Sequence, residues 1–180
     1  MQLEEVARRL DAAGVRWAVF AGAAATAYGV RRPITDIDIL VPAAEGERIA
    51  GLFPEAHVER DEGGQIWKLD WPGYDILAGL NTLDLDAEMA GRLRHGEIEG
   101  VRVPLIPAED NIVLKAVWGR EAEEGKYDWE DVAGMMACLP TLDWEYLRRR
   151  LGRYAPVEYM GVLERLEALW RQAGRVSDRQ

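Results

Sequence analysis

The chain predicts an α+β protein: a mixed sheet with flanking helices over residues 1–106, followed by a C-terminal helical region over residues 107–180. Three observations carry this expectation. Short apolar runs separated by Gly- and Pro-containing turns dominate the chain up to Pro107, the mark of short buried strands. After Pro107 the pattern changes, with Ile112, Leu114, Val117 and Trp118 opening a run of helical spacings that continues to Gly174. Between Ala21 and Val41, a small-residue turn, an Ala-rich segment and a basic loop lead into a strand bearing two aspartates.

Each element has its own signal. Leu3, Val6, Ala7 and Leu10 recur at helical spacing, and Gly14 is a stop. Residues 15–21 read as a buried strand, residues 23–28 as a short helix closed by Gly29, and residues 34–41 as a second strand closed by Pro42. Residues 44–53 are an expected surface helix. Strands follow at 57–60, 65–71 and 74–77, the last two joined into a hairpin by Pro72-Gly73. Residues 85–94 are expected to be helical, and residues 97–103 to form a hairpin or edge strand turning at Gly100.

Composition narrows the function. A length of 180 residues fits one domain, or a catalytic domain with a helical appendage, and 48% hydrophobic content provides for a packed core. A net charge of −10 argues against passive binding to long nucleic acid, which needs a net basic face. It leaves room for a small anionic substrate held by local positive charge. Cys138 is the only cysteine, so no intrachain disulfide or cysteine zinc cluster is possible, and His57 and His95 do not stand at metal-motif spacing. The first ten residues are charged and amphipathic, unlike a signal peptide, and no apolar run is long enough to span a bilayer. The expected location is cytoplasmic, with no membrane partner.

The acids carry the chemistry. Asp36 and Asp38 share one face if both lie in a strand, because side chains alternate. Paired carboxylates at a strand end can hold a hard cation such as Mg²⁺. A third acid, Asp75, lies in the apolar strand GYDILAGL, so carboxylates from two neighbouring strands are expected to hold two divalent ions. Asp75 is also the expected general base toward an attacking hydroxyl. Asp70 is a rival for the third position but abuts the Trp71-Pro72-Gly73 turn. The blander reading is a strand with an acidic exposed face; the flanking Ile37, Ile39, Leu40 and Val41 weigh against it, since unpaired acids in a central strand are costly.

Gly22 and Ala23 stand at the start of the Ala-rich helix, where small residues and helix-start amides suit phosphate, though tight packing asks for the same residues. Arg31 and Arg32 are candidate phosphate clamps, and one of the two is expected to be merely solvated. Trp71 and Trp129 are candidates for base stacking, whereas Trp17, Trp67 and Trp118 fit core faces. The basic run Arg148, Arg149, Arg150 and Arg153 reads as a solvated helix face or a docking site for tRNA or an acidic partner. Asp128 reads as a helix N-cap, and Asp131 as a first-turn acid favoured by the helix dipole.

Together these residues resemble the nucleotidyltransferase superfamily related to DNA polymerase β, and within it the AbiEii/MNT-type bacterial nucleotidyltransferases of toxin–antitoxin systems. The segments carrying the resemblance are Ala21-Gly22-Ala23-Ala24, Gly29-Val30-Arg31-Arg32 and Asp36-Ile37-Asp38-Ile39-Leu40-Val41, within residues 17–78. Ala21 departs from the usual first glycine, and no serine follows it. Glu109-Asp110-Asn111, Leu114-Lys115 and the stretch Lys126 to Asp131 resemble the helices after the core in that family, which makes Lys115 and Lys126 candidate nucleotide contacts. The alternative for Lys115 is a surface lysine snorkelling from an amphipathic helix.

The resemblance implies a Mg²⁺- or Mn²⁺-dependent, ATP-binding type of transferase that moves an NMP from an NTP to a hydroxyl on tRNA, protein or a small molecule, in some relatives as a toxin. Asp36, Asp38 and Asp75 would serve as metal ligands and catalytic residues. A competing expectation is a catalytically inactive nucleotide- or partner-binding module that keeps the fold. A metal-dependent phosphohydrolase is disfavoured because only two histidines are present. The oligomeric state is not legible.

Overall fold

The computed structural model describes residues 3–79, 83–120 and 126–174. The chain forms two compact units, one of Met1–Ala24 with Pro33–Ile106 and the other of Ala25–Arg32 with Pro107–Gln180. The second unit thus takes residues 25–32 as well as the C-terminal helices. Three contacts explain this: Ala25 is part of the helical core, the Val30 side chain lies against Gly134, and Arg32 is ion-paired to Asp131.

The first unit is built on a seven-stranded mixed sheet of order β3-β4-β5-β2-β1-β7-β6. Its strands are β1 (Ala18–Phe20), β2 (Ile37–Val41), β3 (His57–Arg60), β4 (Ile66–Trp71), β5 (Tyr74–Ala78), β6 (Arg94–Ile98) and β7 (Val101–Leu105). β1 pairs antiparallel with β2 and parallel with β7, while β2 pairs parallel with β5. The central strands are nearly continuous apolar runs because they are covered by neighbours, and β1 is buried at all three positions. Helix α1 (Leu3–Ala12) lays Leu3, Val6, Ala7 and Leu10 against the unit's core. A 3-10 turn (Ala43–Glu45) leads into α3 (Gly46–Leu52), after α2 (Ala21–Ala27) has followed β1 directly. Gly46 is required by packing, since a Cβ there would come within 2.8 Å of the Ile66 carbonyl oxygen.

Two expectations are corrected in this unit. Residues 85–94 hold only one short helical turn, α4 (Ala87–Ala90), capped by Asp86, whose side chain accepts from the Met89 N–H. Gly91 then ends it and Arg94 already belongs to β6. Trp71 is only 6% exposed, with Phe53 edge-on at 5.1 Å, Tyr74 at 6.2 Å and the Arg9 guanidinium 5.3 Å from its ring centre. It is a core residue with no face for a base.

The second unit comprises α5 (Ala108–Trp118), α6 (Asp128–Cys138), α7 (Trp144–Tyr154) and α8 (Tyr159–Gln172). Their core gathers Ile112, Val113, Val132, Met135, Leu147 and Leu166, closed by the edge-to-face pair Trp144 and Trp170 at 6.1 Å. Two ionic clusters are buried within it. In the first, Arg150, 1% exposed, donates from Nε to Asp110 Oδ1 at 2.6 Å, and Tyr146 Oη donates to Asp110 Oδ2. The arginine run of α7 is therefore not one solvated face: Arg150 is internal, Arg148 reaches Glu167 at 3.1 Å and Arg149 reaches Glu145 at 3.3 Å. The second cluster involves residues singled out for nucleotide binding and is described below. No helix among the described residues is long and apolar enough to cross a membrane.

Candidate active site

The acidic row is set by strand register. In β2, Ile37, Ile39 and Val41 occupy one face and are buried, leaving Asp38 and Leu40 on the other. Asp38 is in register with Asp75 on the parallel strand β5 and with Phe20 on β1. Asp75 is in turn opposite Asp70 on β4, and Asp70 is opposite His57 on β3. Residues side by side on neighbouring strands share a face with Cβ atoms about 5 Å apart. Asp38 and Asp75 are thus immediate neighbours, both half-buried, and Asp70 lies one strand farther out and exposed.

Asp36 is placed differently from expectation. β2 starts at Ile37, not at residue 34, so strand alternation does not fix Asp36. Pro33 cannot donate to a ladder, and the first bond at this point is the Ile37 N–H to the Gly73 carbonyl, 3.0 Å. Asp36 stands exposed at the mouth of the strand, its Oδ1 accepting from Thr35 Oγ1 at 2.5 Å.

The turn lies at the same end of the sheet. Phe20, the last residue of β1, is the register partner of Asp38, and Ala21 follows it as the first residue of α2. Ala21 adopts φ 54°, in the left-handed region where an L side chain is disfavoured. A glycine would adopt this backbone conformation without that cost. Gly22 and Ala23 follow within α2, in the same unit as the acids.

Lys68 was missed from sequence. Its Nζ lies 3.0 Å from Asp75 Oδ2 and 3.8 Å from both Asp70 Oδ2 and Glu59 Oε1, with its side chain 18% exposed. Burial works to lower its pKa, but the hydrogen bond to Asp75 and the charges of Asp75, Asp70 and Glu59 outweigh it and hold the ammonium above its ordinary value. A signal was present: the two-residue turn Pro72-Gly73 fixes Asp70 opposite Asp75 and Lys68 opposite Leu77, which sets Lys68 diagonal to Asp75 on one face.

Among the described residues, no group of three or more His, Cys, Asp or Glu side chains is drawn together as a ready cation cage. The physical reason is visible at two of the acids, since Asp75 leans on Lys68 and Asp36 on Thr35. The donor set itself, three oxygen-only carboxylates at one strand end, is of the type that hard cations take. Asp38 and Asp75 are adjacent in register, whereas Asp36 lies outside the strand, so the donors suit a hard cation by their chemistry.

The remaining candidates belong to the helical unit. Lys115 is 2% exposed, with Nζ 2.9 Å from Asp128 Oδ1 and 2.8 Å from Asp131 Oδ2. Arg32 grips Asp131 with two parallel bonds of 2.9 Å, and Arg120 Nε donates to Asp128 Oδ2 at 2.8 Å. Burial acts to raise the Asp128 carboxyl, but the Arg120 hydrogen bond, with the charge and hydrogen bond of Lys115, holds it below the usual aspartate value. Asp128 is the first residue of α6 and the N-cap is Tyr127, so Asp128 serves the ion cluster and is not the expected cap. Arg31 and Lys126 are exposed. Trp129 carries the Arg165 guanidinium 3.7 Å above its ring centre.

No protein-family model and no curated protein matches the chain. Solved structures do. The lincosamide antibiotic adenylyltransferase LnuA, in its lincomycin-bound form, aligns with a TM-score of 0.54 at 12% identity, over 76% of this chain and 96% of that one. TM1012 from Thermotoga maritima, a candidate nucleotidyltransferase, aligns with a TM-score of 0.51 at 21% identity, over 68% and 85%. ANT(2'')-Ia in complex with adenylyl-2''-tobramycin aligns with a TM-score of 0.50 at 16% identity, over 96% and 94%. At such identities the likeness is one of fold: the chain has a nucleotidyltransferase-like α+β fold.

Proposed function

We propose that the chain is a divalent-metal-dependent nucleotidyltransferase that moves an NMP from an NTP to a hydroxyl. The observation that carries this reading is the in-register pair Asp38 and Asp75 on adjacent central strands, beside the strained turn at Ala21. Lys68 balances Asp75 from one side, and the oxygen donors of Asp38 and Asp75 on one sheet face are of the kind a hard cation takes. Asp36 and Asp38, with Asp75, hold Mg²⁺ or Mn²⁺. When bound, such a cation screens the triphosphate and stabilises the charge on departing pyrophosphate. Asp75 Oδ1 or Oδ2 accepts the proton of the attacking hydroxyl, which then bonds to the α-phosphorus as the bond to pyrophosphate breaks. The turn at Gly22 and Ala23 offers small residues and backbone amides to the phosphates, and Arg32 is committed to Asp131.

The acceptor we favour is a cationic small molecule of the aminoglycoside kind. The net charge of −10 supports it, as does the adenylyl-tobramycin carried by one fold neighbour. Incubation with each α-³²P-labelled NTP, Mg²⁺ and either an aminoglycoside panel, a lincosamide, tRNA or cell extract tests this. Label on an aminoglycoside is the expected result. Label on tRNA or a protein instead gives the chain a toxin-like role and overturns the acceptor. Absence of label with every NTP and acceptor overturns transfer itself and favours the non-catalytic module, to which Ala21 in a glycine conformation already lends weight.

A further inference from the structure

We infer that helix α6 positions the chain segment between the phosphate turn and Asp36, with Asp131 as the positioning residue acting through Arg32. The inference rests on the transferase reading above and deepens it. Strand register fixes Asp38 and Asp75, but Asp36 precedes β2 and is not fixed that way. Its place depends on the chain that leads to it. Residues 25–32 come between the turn at Gly22 and Asp36 in sequence, and they belong to the helical unit.

Asp131, Gly134 and Cys138 hold that segment, at the spacings of three and four residues that share a helix face. Asp131 takes Arg32 in two parallel bonds of 2.9 Å. Gly134 leaves room for Val30, whose Cγ2 would lie 3.0 Å from a Cβ there. Cys138 Sγ donates to the Gly29 carbonyl at 3.5 Å, and a Cβ on Gly29 would come within 2.9 Å of that sulfur. Gly29, Val30 and Arg32 thus run antiparallel to the helix. The anchor is firm, because Asp131 is 0% exposed and is also held by Lys115 at 2.8 Å. A forked arginine pair fixes direction as well as distance. Pro33 follows at once, and its ring removes a further backbone freedom before Asp36. α6 therefore fixes the start of the short run Pro33-Ile34-Thr35 that delivers Asp36.

The experiment has one readout without ligand and one with it. Cys138 is the only cysteine and is exposed, so its rate of reaction with dithiobis(nitrobenzoate) reports how well Gly29 is seated against it. Binding of Mn²⁺ with an α,β-methylene analogue of ATP or GTP to the full-length chain is read by titration calorimetry. Arg32→Ala and Gly134→Val are both expected to speed the Cys138 reaction several-fold and to weaken analogue binding about tenfold, the scale on which small misplacements far from the chemistry act. Arg32→Lys, which keeps one charge-assisted bond, should fall between Arg32→Ala and wild type in both readouts. Tyr146→Phe loosens the other ion cluster of the same unit and should leave both at wild type. Circular dichroism establishes that each variant is folded, and Gly134→Ala, with its smaller side chain, replaces Gly134→Val if the latter is not. Weak binding by Arg32→Ala beside wild-type binding by Gly134→Val would mean that Arg32 meets the phosphates itself, and overturns the inference. Unchanged Cys138 reactivity in both variants, or equal weakening by Tyr146→Phe, overturns it as well. These outcomes leave the transferase reading intact. No binding of either analogue with Mn²⁺ to wild type overturns both.

Discussion

Replacing Lys115 by methionine separates two accounts of this lysine. In the structure its ammonium lies 2.9 Å from Asp128 and 2.8 Å from Asp131, and the residue is 2% exposed. The substitution keeps the stem's volume and removes one charge from a cluster of three cations and two carboxylates. Removing one partner of a buried pair costs about 3–5 kcal/mol. Each carboxylate retains a second partner, Arg120 on Asp128 and Arg32 on Asp131, so the lower end, about 3 kcal/mol, applies. For a chain of this length that lowers Tm by about 6–12 °C. Thermal melts followed by circular dichroism without nucleotide read it directly. A variant that melts within 1 °C of wild type yet loses nucleotide affinity tenfold would refute the reasoning, because Lys115 would then serve the ligand and not the helices.

Further outcomes follow from the same geometry. Ala21→Gly relieves φ 54° at a cost of extra unfolded-state freedom, and should stabilise by about 0.5–1 kcal/mol, read as a higher urea midpoint; destabilisation would show that the methyl packs to advantage. Asp128 has a folded pKa below its unfolded value, so its contribution is full above about pH 4 and is lost as pH falls through the folded value; Asp128→Asn should flatten acid unfolding in that window, measured by pH-jump fluorescence. Arg32→Ala removes two charge-assisted bonds, leaves Asp131 with Lys115 alone and should destabilise by about 2 kcal/mol, whereas Arg31→Ala, at an exposed residue, should leave Tm unchanged, both read by calorimetry.

Much of the fold was legible because period and punctuation agree. The hairpin at Pro72-Gly73 and the helical spacing of Leu3, Val6, Ala7 and Leu10 needed only local rules. Residues 85–94 misled because Asp86 caps a helix that Gly91 ends after one turn. Of the site, the adjacency of Asp38 and Asp75 could be anticipated from two apolar strands, but not which strands are neighbours, since β2 and β5 pair across an intervening hairpin. Lys115 read as a candidate nucleotide contact or a surface lysine, and Arg150 as part of a solvated or docking face; only tertiary structure reveals the buried carboxylates that hold them. Trp71 likewise looked available until Phe53, Tyr74 and Arg9 closed around it.

The central claim is that the Asp38–Asp75 row performs nucleotidyl transfer, and transfer from α-³²P-labelled NTP by wild type, Asp38→Asn and Asp75→Asn tests it most directly. With Mg²⁺ and the acceptor that wild type labels, each substitution should lower the rate by about 10²–10⁴-fold, while both variants keep the wild-type far-ultraviolet spectrum. Equal rates in all three proteins would contradict the account.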